Sequence, residues 1–200
     1  MTSILKADNI QDADGNNIIN ESGNTITIGA SGDTINVPSG ATFNINGTAG
    51  TGVGGVNEPV WSVYNSATQN IATGTGTTVA YNTKRIDTDT AFDTSTHRFT
   101  VPSGKGGTYF IAAGVRLEDG EFGRYIRVYV NGSQSDVIGS MNYGVASYTT
   151  DTQLSGIIAL SASDYIEIKV NQHSGSNKDL QGLSDGWYRS YFQGFKLIGL

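Results

Sequence analysis

The chain has 200 residues, among them 27 glycines, two histidines and no cysteine; 37% is hydrophobic, 15% is charged and the formal net charge is −6. Glycine loses the most backbone entropy on ordering, and Ser, Thr and Asn divert their side chains to local backbone groups, so this composition excludes a helical protein. It also excludes a disordered polyelectrolyte, a disulfide scaffold, a thiolate metal site and the phosphate-neutralising field that a nucleic-acid partner requires.

The charge divides the chain. Residues 1–58 hold one lysine against six acids, whereas residues 59–200 hold eleven basic against twelve acidic residues. Between them runs Gly47-Thr48-Ala49-Gly50-Thr51-Gly52-Val53-Gly54-Gly55, too poor in side chains to pack and read as a linker, with the boundary near Pro59. The start MTSILKADNIQDADG lacks the basic flank and apolar core of a signal peptide, so secretory export is not expected. No apolar run approaches the roughly 20 residues that span a bilayer, so no membrane insertion is expected either.

In the first part an alternating apolar doublet recurs: Ile26 with Ile28, Ile35 with Val37, and Phe43 with Ile45. Alternation places each doublet on one face of a short strand, with Thr and Asn on the other. Two side chains per strand do not offset an ordering entropy of roughly 1–2 kcal/mol per residue. The segment therefore reads as a β-repeat stalk whose doublets are covered by sister copies about a three-fold axis, the alternative being a disordered leader.

The second part reads as a β-sandwich. A central strand is expected over 108–117. Over 123–130 the alternation sends Ile126, Val128 and Val130 inward and Tyr125, Arg127 and Tyr129 outward, and Asn131-Gly132 closes a type I′ hairpin. Further strands are expected over 164–170 and 188–198, for a total of seven or eight.

The pieces Phe99-Thr100-Val101-Pro102, Gly107-Thr108-Tyr109-Phe110, Val128-Tyr129-Val130-Asn131-Gly132, Leu154-Ser155-Gly156, Tyr165-Ile166-Glu167-Ile168 and Phe192-Gln193-Gly194-Phe195-Lys196-Leu197 stand in an order that resembles the jelly-roll head shared by the complement q subcomponent and tumour necrosis factor. The resemblance covers about residues 60–200 and implies a ten-stranded sandwich forming compact homotrimers. No collagen Gly-X-Y repeat precedes it, so complement-type biology does not carry over. The strings Gly23 to Gly29 and Ile35 to Phe43 are similar to segments of tailed-bacteriophage virion proteins, including cyanophage-like fibres and head appendages.

The expected fold is thus all-β, a short repetitive stalk (1–58) followed by a jelly-roll head (59–200), homotrimeric. No nucleophile with a base and no carboxylate pair announces an enzyme. His97 and His173 sit in polar turns and read as solvated or capping groups. Asp12-Ala13-Asp14-Gly15-Asn16 lacks the remaining ligand spacing of a calcium loop and reads as a turn; Glu118, Asp119 and Glu121 read as solvated acids; Asp87, Asp89 and Asp93 are the better calcium candidates, with no cofactor as the default. Trp61 is expected in the core. Tyr125, Tyr129, Tyr143, Trp187 and Tyr191 exceed what one core needs and are expected at subunit contacts or at a recognition surface. The function expected is a non-enzymatic virion structural protein, a capsid decoration protein or short head fibre, assembled in the host cytoplasm and attached through residues 1–58 to the major capsid protein or another virion protein. The alternative is a tail-fibre tip that binds a glycan or protein receptor on the host surface.

Overall fold

A computed structural model describes residues 9–11, 13, 17–22, 25–29, 31–41, 57–147, 149–183 and 189–198, and the chain divides into two units, Met1–Gly50 and Thr51–Leu200. Among the described residues every regular element is a strand.

In the first unit, β1 (Asn9–Gln11), β2 (Asn17–Ser22) and β3 (Thr25–Ile28) form an antiparallel sheet in the order β1-β2-β3. The register sets Ile10 opposite Ile19 and Ile19 opposite Ile28, a ladder of isoleucines across the three strands. Ile26 lies two residues from Ile28 and shares its face. These four side chains are 37–68% exposed. The Ile26 and Ile28 doublet thus sits on one strand face as alternation predicts, but its cross-strand neighbours come from β2 of the same chain.

The strand expected over Thr34 to Val37 does not form, and Ile35 and Val37 stand exposed on irregular backbone. The reason is local. Gly32 and Gly40 both adopt positive φ, and the Pro38 carbonyl accepts the Ala41 N–H at 3.0 Å, so the chain turns on either side of a run too short to build a ladder. Phe43 and Ile45 lie outside the described residues.

The second unit contains β4 (Val60–Tyr64), β5 (Gln69–Ile71), β6 (Thr77–Thr78), β7 (Thr83–Asp87), β8 (Phe92–Asp93), β9 (Arg98–Thr100), β10 (Gly107–Leu117), β11 (Gly123–Val130), β12 (Ser133–Tyr143), β13 (Thr150–Leu160), β14 (Tyr165–Gln172), β15 (Lys178–Leu180) and β16 (Tyr191–Lys196). They make two sheets. In the first, β5-β15-β10-β16-β4-β7 are consecutive neighbours and β13 also pairs with β10; in the second the order is β12-β11-β14-β9-β8, with β6 on β14. β10 is the spine of the first sheet, paired with β13 from Gly107↔Leu160 to Leu117↔Thr150 and with β16 from Tyr109↔Lys196 to Gly114↔Tyr191.

Alternation explains the core between the sheets. Tyr109, Ile111, Ala113, Val115 and Leu117 of β10 face Ile126 and Val128 of β11 and Ile166, Ile168 and Val170 of β14 in one buried cluster. Each full burial of such a side chain is worth about 1.5–3 kcal/mol. Trp61 is buried as expected, stacked on Phe99 with ring centroids 3.8 Å apart and met edge-on by Phe192 at 5.4 Å. Gly194 makes room for it: a Cβ there would lie 2.4 Å from the Trp61 ring.

Two expectations for the head need correction. The short strands β5 to β8 and β15 fall in Gly-, Thr- and Asn-rich stretches with too few residues to show a period, so seven or eight strands undercounts them. The inward face of β11 also carries a charge, since Arg124 is fully buried beside Ile126. Its guanidinium lies 4.1 Å from the centroid of the Phe122 ring and donates to the carbonyls of Gly120 at 3.1 Å and Thr150 at 3.3 Å. Burial holds its pKa below the usual arginine value, opposed by the field of Asp119.

Candidate functional site

The sandwich turns two outer faces to its surroundings, and they differ in chemistry. On the first sheet, the register brings Val60, Phe195, Phe110 and Ile157 into one row across β4, β16, β10 and β13. The next outward row is largely polar, Ser62, Gln193, Ala112 and Ser155, with Ile86 of β7 opposite Ser62, and beyond it Tyr64, Tyr191, Gly114 and Gln153 form a third row. Phe110 and Phe195 have ring centroids 5.5 Å apart. The Tyr191 ring lies flat over Gly114, where a Cβ would come within 2.7 Å of it. Burial raises the Tyr191 pKa, reinforced by the charge of Asp151, which Arg116 clasps in a bidentate pair. At the ends of this face Ile157 and Ile86 are 57% and 50% exposed.

The outer face of the second sheet alternates cations with aromatic rings. Pairing of β11 with β14 sets Tyr125 opposite Asn171, Arg127 opposite Lys169 and Tyr129 opposite Glu167. The Lys169 ammonium stands 4.5 Å from the centroid of the Tyr129 ring, Arg98 lies 4.2 Å from that of Tyr165, and Arg127 lies 5.4 Å from that of Tyr125. His173 meets Tyr125 edge-on at 5.5 Å. Glu167 is buried among these groups, accepting from Arg98 Nε at 3.1 Å, with Lys169 Nζ at 3.3 Å. A groove of about 320 Å³ opens on this face between Tyr125, Arg127, Tyr129, Lys169, Asn171 and His173.

The aromatic residues singled out from sequence therefore separate. Tyr125 and Tyr129 line the groove and Tyr191 lies on the opposite sheet. Tyr143 is exposed on β12, its hydroxyl donating to the Glu121 carbonyl at 3.2 Å. Trp187 lies outside the described residues. His173, read as a solvated turn residue, belongs to the groove wall, whereas His97 places Nδ1 3.2 Å from the Tyr81 carbonyl.

The three aspartates weighed for calcium each have protein partners. Asp87 accepts from Lys84 Nζ at 2.7 Å and the Ala91 N–H at 2.9 Å, and Asp89 from Thr88 Oγ1 at 3.0 Å. Asp93 accepts from Ser95 N–H at 2.8 Å, Ser95 Oγ at 2.7 Å and Thr96 Oγ1 at 3.1 Å; these bonds, those from Ser95 first, lower its pKa to about 2. Among the described residues no three His, Cys, Asp or Glu side chains converge as a metal site would require.

Sequence reasoning sent Arg127 outward but missed Lys169, Asn171 and His173 as its companions. The local signal was present, since β11 and β14 each put a cation at an outward position. What the sequence withholds is that these two strands are neighbours.

No protein-family model and no curated protein matches the sequence. Solved structures do match the fold. The globular domain of zebrafish complement 1qA protein aligns with a TM-score of 0.51 at 16% identity, covering 70% of this chain and 98% of that one. Eiger TNF from S. frugiperda aligns with a TM-score of 0.52 at 8% identity over 70% of this chain and 93% of its own, and murine APRIL at pH 5.0 with a TM-score of 0.50 at 14% identity over 69% and 99%. At these identities the likeness establishes the architecture, a jelly roll of the complement q and tumour necrosis factor type.

Proposed function

We propose that this protein is a non-enzymatic structural module that associates with itself as a homotrimer through the outer face of the sheet containing β4, β10, β13 and β16. The observation that carries this reading is the apolar row Val60, Phe195, Phe110 and Ile157 on regular strands, with Ile86 in the adjoining row of Ser62, Gln193, Ala112 and Ser155 and the aromatic pair Tyr64 and Tyr191 beyond it. Surface of this kind gains about 25 cal/mol for each Å² removed from water, and its phenols suit a contact with a wet rim. The three-fold stoichiometry comes from the resemblance of the head. The particle we propose it serves is a tailed-phage virion, with residues 1–58 attached to the major capsid protein or another virion protein and the head projecting from the capsid surface. The open isoleucine ladder of the first unit suits such an attachment.

Sedimentation of the full chain is expected to give a trimer at micromolar concentration. The double substitution Ile86→Arg with Ile157→Arg, at positions already half exposed, is expected to give a folded monomer. A wild-type monomer under the same conditions, or a double variant still trimeric, would falsify the assignment of this face. Cryo-EM of particles would then locate the head on the shell.

A second reading, a recognition tip that contacts a host surface, is favoured by the cation and aromatic groove on the opposite sheet.

A further inference from the structure

Three features of the groove on β11 and β14 specify chemistry more narrowly than a general contact surface does. The first is charge. The chain as a whole is acidic, yet among the described residues the groove wall contains Arg127, Lys169 and His173 and no carboxylate. The nearby Glu167 is shared between Arg98 and Lys169, two cations for one anion, while the partner Arg127 uses is the neutral Gln134 Oε1 at 2.9 Å. The face is therefore electropositive and suits an anion. Arg127 presents the planar fork that pairs with a carboxylate in two parallel hydrogen bonds.

The second feature is the pair of tyrosines. Tyr125 and Tyr129 are outward on one strand with Arg127 between them, the guanidinium lying over the Tyr125 ring and the Lys169 ammonium over that of Tyr129. Gly76 borders the Tyr129 side, where a Cβ would lie 3.9 Å from the phenol oxygen. Such rings offer apolar area for the C–H face of a pyranose while their hydroxyls stay wet.

The third is an orphan. The side-chain oxygen of Asn171, in the groove wall, is shielded from solvent and has no hydrogen-bond partner. Because the oxygen is closed off in this orientation, it reaches a partner only when the amide turns into the groove, where its oxygen accepts and its NH₂ donates. A hydroxyl does both; a bare carboxylate only accepts. A volume of about 320 Å³ lies within the size range of small-ligand sites.

We infer that this groove binds one acidic saccharide unit, its carboxylate on Arg127 and Lys169, its ring against Tyr125 and Tyr129, and a ring hydroxyl on Asn171. The inference deepens the recognition reading above and rests on it. It does not depend on how copies of the chain assemble.

The test uses the full chain, titrated by calorimetry and NMR with tri-galacturonate, with the same trimer methyl-esterified so that the rings remain and the charge is gone, and with sodium acetate. Tri-galacturonate is expected to bind at least tenfold more tightly than either comparison probe. Arg127→Gln is expected to remove that preference, a loss of about tenfold that matches one charge-assisted hydrogen bond. Tyr129→Ala is expected to weaken both sugars together. Acetate binding as tight as that of tri-galacturonate would overturn the inference, because the site would then hold an anion only. Equal binding of the acid and its ester, or full tri-galacturonate affinity in Arg127→Gln, would overturn the acidic class. A glycan array separates the two levels: retention on neutral glycans that Tyr129→Ala abolishes sinks the acidic class but keeps recognition, whereas no retention on any glycan sinks the saccharide site and with it the glycan form of the recognition reading.

Discussion

At the scale of single residues, the head is governed by what small or charged groups permit their neighbours. Gly194 is inward-facing on β16, and any side chain there meets both the Trp61 ring and the Phe110 carbonyl, the latter 2.6 Å from a Cβ. Backbone on one side and a stacked indole on the other leave little room to yield. Gly194→Ala is expected to cost about 1–3 kcal/mol in urea unfolding, the range for overpacking a filled core. Asp93 illustrates a different economy, because its carboxylate organises the turn between β8 and β9 by accepting from Ser95 and Thr96. Its pKa is lowered to about 2, so the stability it contributes is complete above the ordinary carboxylate range and disappears as pH falls through about 2. Thermal unfolding of Asp93→Ala should therefore trail the wild type at neutral pH and converge with it as the solution is acidified to that value. Arg124 shows where residue identity misleads: a charged side chain is read as solvated by default, and only the fold reveals the carbonyls and the Phe122 ring that take it inside.

At the scale of elements, legibility tracks length and turn chemistry. β10, β11 and β14 are eight to eleven residues long and alternate or run apolar, so their positions can be read within a residue or two. The turn after β11 is equally plain, since Asn131 and Gly132 take φ of 49° and 80°, the positive pair that a type I′ hairpin demands. Gly132→Ala is expected to lower stability by about 1–2 kcal/mol in chemical denaturation, the cost of a left-handed residue with a Cβ. β6 and β8 have two residues each, and no periodicity exists to be read in them. The first unit fails for another reason. The doublet pattern at Ile35 and Val37 is as good as that at Ile26 and Ile28, yet only the latter finds a partner strand, because β2 lies upstream in register while Pro38 and Gly40 turn the chain away from a ladder. Alternation reports a face; it does not report a neighbour.

At the scale of the whole molecule, the groove was only half legible. Tyr125, Arg127 and Tyr129 could be placed outward from β11 alone, but Lys169 and Asn171 of β14, and His173 just after it, arrive from more than thirty residues away, and the pairing that brings them together is a product of jelly-roll connectivity. The same connectivity puts the apolar row and the groove on different sheets of one sandwich. A sandwich has two backs. If copies join through the first sheet, the groove on the second belongs to the other face of each sandwich, so an oligomer would carry the proposed saccharide sites away from that contact. A weak grip at each site, multiplied by valency on a repetitive polysaccharide, would then become avidity, gained without any change in the groove itself.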